Sequence, residues 1–180
     1  MKEGMLLFIY KNNRAINLQH LKVIFKDAIF MNWGSHILVD AKAYDKESIL
    51  KNIQDYNTGQ YTFTQSRIEK LIKKCMDIGL SLEGIQHWDD IEYEKSSFIE
   101  DLINELKRKD ISINLRNLFL RELTHILRDI EYELFSDNSV SLIEFKTPNG
   151  NEISFSRNNF VSFEEEDIDT VKEIISSFIE

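Results

Sequence analysis

A chain of 180 residues and 21.3 kDa is of single-domain length, and roughly 70% of its extended surface should be buried on folding, enough for an unaided core. Hydrophobic residues at 42% and charged residues at 29% exclude a disordered chain, and no apolar run approaches the roughly 18 residues that cross a bilayer. The net charge of −9 is uneven: residues 1–90 carry 12 Lys+Arg against 11 Asp+Glu and residues 91–180 carry 10 against 20, so the halves stand at +1 and −10.

In chain order, Met5 to Tyr10 is a short apolar run closed by Lys11-Asn12-Asn13-Arg14, the pattern of a buried strand and a turn. The same run is too short and too weakly flanked for a secretory signal, and the lone Cys75 cannot form an intramolecular disulfide; the expected location is cytoplasmic. Leu18, Leu21, Ile24, Phe25, Ala28 and Ile29 recur at helical spacing and predict a helix ending before Asn32-Trp33-Gly34-Ser35. His36 to Tyr44 alternates as a half-buried strand does, and Asp45 offers an N-cap for a helix running toward Tyr56.

Thr64 caps the next predicted helix, whose stripe is Ile68, Leu71, Ile72, Cys75 and Met76 and whose stop is Gly79. Leu80 to Tyr93 has no clear period and reads as a long connecting segment with room for a short strand or helix, the place where a boundary between two lobes would fall. Ser97 is the expected cap of a helix through Phe98, Leu102, Ile103 and Leu106, ending in Lys107-Arg108-Lys109, whose charges suit a helix C-terminus. From Leu115 to Phe135 runs the longest expected helix. Its Leu115, Phe119, Leu123, Ile126, Leu127, Ile130 and Leu134 span about 120° of the wheel, as a central core helix would.

Ser139 to Lys146 and Asn151 to Ser156 flank Thr147-Pro148-Asn149-Gly150, a hairpin signal with a mechanism, because proline presets φ and Asn-Gly accepts positive φ. Phe160 to Phe163 is a third strand, and a helix from about Asp167 closes the chain with Ile168, Val171, Ile175, Phe178 and Ile179 on one face. The expected fold is therefore α+β: a short N-terminal β-α-β-α segment, central helices including a long core helix, then a C-terminal antiparallel β-meander and a closing helix, as one domain over 1–180.

No segment carries a catalytic, nucleotide-binding or metal-binding signature. Cys75 falls within an apolar helical stripe and reads as a small core residue rather than a nucleophile. His20, His36, His87 and His125 have no i, i+4 partner and no Cys cluster, so neither a metal site nor a cofactor is expected, and His125 reads as a solvated helix residue. Gly34-Ser35-His36 lacks both a nucleophile elbow and a specified acid, and six scattered glycines form no phosphate-cradling loop.

Two acidic segments remain. His87-Trp88-Asp89-Asp90-Ile91-Glu92-Tyr93-Glu94 has three readings: a solvated loop anchored on the core by Trp88 and Tyr93, a protein-binding surface, or a catalytic or cation site with His87, Asp89 and Asp90 as its candidates. Glu164, Glu165 and Glu166 precede the closing helix and suit the positive end of its dipole, whereas Glu166, Asp169, Glu173 and Glu180 also form an acidic stripe that could face a partner.

The −10 half repels phosphate backbones, so nucleic-acid binding is not expected; it would steer a basic protein partner, unless the acidity serves only solubility. The expected function is a non-enzymatic, acidic inhibitor or immunity-type protein masking a basic partner surface through Glu164, Glu165, Glu166, Asp169, Glu173 and Trp88. The alternatives are a regulatory subunit of a larger assembly and an enzyme whose site is assembled from residues distant in sequence; a cavity lined by His87, Asp89 and Asp90 would favour the enzyme.

Overall fold

A computed structural model describes residues 1–9, 28–32, 36–40, 58–60, 63–133, 139–157 and 160–177. In chain order the elements are β1 (Lys2–Ile9), β2 (Ala28–Asn32), β3 (His36–Asp40), β4 (Thr58–Gln60), α1 (Gln65–Asp77), β5 (Ser81–His87), α2 (Tyr93–Leu106), α3 (Ile113–Glu133), β6 (Val140–Lys146), β7 (Glu152–Ser156), β8 (Phe160–Phe163) and α4 (Ile168–Ser176). The fold is α+β, with every described strand pairing antiparallel. Among the described residues no helix is long and apolar enough to cross a membrane.

The chain divides into two units, residues 1–62 with 158–180 and residues 63–157. In the first, β1 pairs with β3, β4 and β8, and β3 also pairs with β2. Ala28 and Ile29, read from their spacing as the end of a helix, belong instead to strand β2. Short apolar runs fit either period, and the ladder to β3, with Asn32 opposite His36, decides the matter. The helices expected over 18–27 and 45–56 lie outside the described residues. A 3-10 turn, Glu165–Asp167, leads into α4, which buries Val171, Ile174 and Ile175.

In the second unit, β5, β6 and β7 lie side by side in the order β7-β6-β5. Pro148 opens the β6–β7 turn and Gly150 takes φ +91°, with its N–H donating to the Thr147 carbonyl at 2.9 Å. Phe155 stands edge-on to Phe63 and Phe145, with ring centroids 5.9 and 6.2 Å away. Helix α1 ends in a Schellman motif: Gly79 at φ +92° donates to Met76, and Leu80 donates to Cys75. Thr64 occupies the N-cap as expected, but its hydroxyl makes no cap hydrogen bond and lies 3.4 Å from Ser66 Oγ.

Helix α2 begins at Tyr93, four residues before the expected cap Ser97, because the buried Ile99, Leu102, Ile103 and Leu106 need only the later turns and leave its polar start unmarked. Helix α3 buries Leu123, Leu127 and Ile130, whereas Leu115, expected in the core, is 46% exposed. Its main neighbour is α2, joined by the Lys95–Glu133 ion pair, and the apolar stripe is covered over the C-terminal half of α3 rather than its whole length.

Candidate functional site

The stretch Leu80 to Tyr93 shows no single period because β5 is interrupted at Glu83 and ends at His87, after which a turn leads into α2; the β5–β6 ladder has two irregularities. Leu82 faces Phe145 but Gly84 faces Glu144, which leaves Glu83 as an extra residue; Gln86 faces Leu142 but His87 faces Val140, which leaves Ser141 extra on the other strand. The extra Glu83 exchanges the faces of the β5 residues that follow it, so their period-2 signal is broken there, and such bulges re-aim side chains. Gly84 adds a close approach: a Cβ there would stand 2.8 Å from Glu144 Oε2. Lacking one, it lets the Glu144 carboxylate lie against β5, where Gln86 Nε2 donates to it at 3.3 Å.

Between β5, the turn after it and α2 lies a groove of about 600 Å³. It is lined by the carboxylates of Glu83, Asp89, Asp90, Glu100 and Glu144, by His87, Gln86, Ser96 and Asn104, and by isoleucines of the strand, turn and helix; among the described residues no Lys or Arg lines it. Burial pushes the Glu83 carboxyl up, but hydrogen bonds from Lys107 and Ser81, each 2.7 Å, outweigh that and hold it below the usual range. Asp89, Asp90 and Glu100 have no ion pair or hydrogen bond among the described residues. The groove is thus a pocket of negative potential neutralised at one point.

His87 closes one end of β5. Its Nδ1 lies 3.3 Å from Ser139 Oγ, and its Nε2 is buried without a hydrogen-bond partner among the described residues. Burial pushes the imidazole below its ordinary pKa, so it is neutral near pH 7. Ser139 is wholly buried, which leaves its hydroxyl no access to a substrate; it orients the ring rather than acting as a nucleophile beside it.

The structure gathers His87, Asp89 and Asp90 into this one groove. It also corrects one reading of the same segment: Trp88 is 54% exposed and Tyr93 84% exposed, so neither anchors the loop on the core. What holds the loop is main chain, the Trp88 N–H donating to the Ser139 carbonyl at 3.0 Å. Phe98, on α2, is exposed as well.

The other acidic candidates belong to the first unit. Glu164 pairs with the N-terminal ammonium at 3.0 Å, Glu165 with Lys2 at 2.7 Å and Asp169 with Lys172 at 3.3 Å. Hydrogen bonding to Lys2 holds the Glu165 carboxyl low. Glu166, Asp169 and Glu173 are all exposed beside the buried face of α4, as their spacing predicts.

Cys75 is buried and burial pushes its thiol far up, as befits a core residue. Sequence reasoning did not find Glu83, Glu100 or Glu144. Only Gly84 offered a signal, a glycine in a strand marking a bulge or a close approach. Among the described residues no group of three or more His, Cys, Asp or Glu could hold a metal ion. No protein-family model, no curated protein and no solved structure matches this chain, so the groove is interpreted from its own chemistry.

Proposed function

We propose that this chain is a non-enzymatic interaction protein of the inhibitor or immunity type, whose acidic groove seats a lysine or arginine side chain of a basic protein partner. One observation carries the reading: a groove with carboxylates from Glu83, Asp89, Asp90, Glu100 and Glu144, without a Lys or Arg in its lining among the described residues, and with exposed Trp88 and Tyr93 beside it in the chain. A guanidinium or ammonium entering it would meet acceptors on several sides in a partly desolvated setting, where charge-assisted hydrogen bonds are strongest. Exposed aromatics supply the apolar contact, and Trp, Tyr and Arg dominate the centres of protein interfaces. The excess negative charge of residues 91–180 would steer the encounter.

The enzyme reading is favoured by the convergence of His87, Asp89 and Asp90 on one cavity. The two differ in what each residue must do. Acid–base chemistry would depend on His87, whereas capture of a cation depends on the carboxylates and tolerates a neutral ring.

The test uses the intact chain as bait in extract of its native host, beside the Asp89→Lys/Asp90→Lys/Glu100→Lys variant and His87→Gln, at about 0.1 M and about 1 M salt. The interaction reading expects a basic protein retained by wild type and His87→Gln at low salt, released at high salt and not retained by the triple variant. Equal retention by the triple variant contradicts it.

A further inference from the structure

A second groove, of about 530 Å³, runs between α1 and α3. Its electrostatics are the reverse of the first. Lys70, Lys73, Arg121 and Arg128 line it against one carboxylate among the described residues, that of Glu69, and Ile72, Leu120 and Leu123 supply apolar walls. Arg128 is engaged, donating to both Glu69 carboxylate oxygens at 2.9 Å. Arg121 reaches only Glu122, at 4.0 Å, and Lys73 has no ion pair or hydrogen bond among the described residues. Among the described residues, then, the groove's Lys73 has no anion partner and its Arg121 has only the long contact to Glu122.

The ends of the trough limit what fits. At one end Arg128 of α3 grips Glu69 of α1; beyond the other, Arg116 donates to Asp77 at 3.1 Å. Between residues 116 and 128 a helix rises about 18 Å. A groove lying between two ion pairs that far apart, with a volume within the usual range of small-molecule sites, suits a short ligand rather than a continuing chain.

We infer that this groove binds a free organic anion with an apolar body, a fatty-acid-like carboxylate whose head lies against Lys73 and Arg121 and whose hydrocarbon lies against Leu120. A carboxylate accepts from an ammonium and a guanidinium at once, and the hydrocarbon leaves water for a surface already apolar. This site is independent of the acidic groove, and neither proposal rests on the other.

The experiment is calorimetric titration of the full chain with octanoate and dodecanoate below their micellar range, with octanol as the neutral comparison. Wild type should bind one carboxylate per chain, octanol at least about tenfold more weakly, and Lys73→Glu/Arg121→Glu should lose about tenfold or more, the loss of a charge-assisted contact. Both replaced side chains are exposed, and circular dichroism checks that the variant folds. Absence of saturable carboxylate binding, equal binding of octanol, or unchanged binding by the variant overturns the site. A hexaglutamate peptide binding more tightly than either carboxylate, and sensitive to the same variant, overturns the small-ligand assignment in favour of an acidic protein segment.

Discussion

The two grooves of the second unit are alike in size and opposite in charge. The acidic one is built from a bulged strand, a turn and one face of α2; the basic one is built from two helices that present Lys and Arg at helical spacing over an apolar floor. Each neutralises one of its own charges internally, Glu83 with Lys107 and Arg128 with Glu69, and leaves others facing solvent. A chain-wide net charge of −9 therefore says little about a local field. What decides it is which elements converge, and the comparison separates a surface rich in carboxylates from one rich in Lys and Arg within one unit.

The change expected to disturb that comparison most is Leu123→Ala. Leu123 is 1% exposed and belongs both to the core of α3 and to the wall of the basic groove. Its loss should lower stability by about 2–5 kcal/mol, measured by urea unfolding. A change within about 0.5 kcal/mol would mean that α3 is peripheral.

The acidic groove should respond next. Asp89→Lys/Asp90→Lys/Glu100→Lys replaces exposed carboxylates and should leave unfolding nearly unchanged while slowing association with a basic ligand by about tenfold or more, the scale of electrostatic steering. A loss of stability as large as that of Leu123→Ala would instead make these carboxylates structural.

Cys75→Ala should cost about 1 kcal/mol, and native Cys75 should resist thiol reagents until the protein unfolds, since burial suppresses the thiolate. Rapid labelling of native protein would place it at a surface.

The smallest effect concerns pH. His87 has a folded pKa below its unfolded value, so the unfolded chain binds more protons between the two. Stability contributed by the neutral ring is complete above about pH 6.5 and is lost as pH falls through that value toward the folded pKa. Urea unfolding of wild type and His87→Gln should converge in acid, the variant having lost part of the slope. Parallel curves would show that His87 is not held neutral.

Much of the scaffold was legible because local chemistry and tertiary structure agree there. Pro148 and Gly150 fix the hairpin, Gly79 stops α1, and the Ile68–Cys75 stripe and the Val171–Ile175 face read correctly at helical spacing. Reading failed where tertiary pairing overrode local pattern. Ala28 and Ile29 join a strand because a partner strand is there, and β5 lost its alternation to a bulge at Glu83 that no single-strand period can reveal. The acidic groove was half visible. His87, Asp89 and Asp90 are adjacent in sequence, whereas Glu100 arrives from α2 and Glu144 from across the ladder, lying beside β5 only because Gly84 leaves room.

The central claim is that the acidic groove, and not the acidic edge of α4, captures a basic partner. It is tested most directly by stopped-flow association of a labelled arginine-rich peptide with three proteins: wild type, the Asp89→Lys/Asp90→Lys/Glu100→Lys groove variant, and an α4 variant, Glu166→Lys/Asp169→Lys/Glu173→Lys, altered on α4 and the turn before it. Rates at about 0.1 M and about 1 M salt, where the screening length falls from about 10 Å to about 3 Å, separate steering from contact. The groove variant should associate about tenfold or more slowly and lose most of the salt dependence, while the α4 variant stays within about threefold of wild type. Equal rates for wild type and the groove variant, with the loss confined to the α4 variant, would contradict the claim.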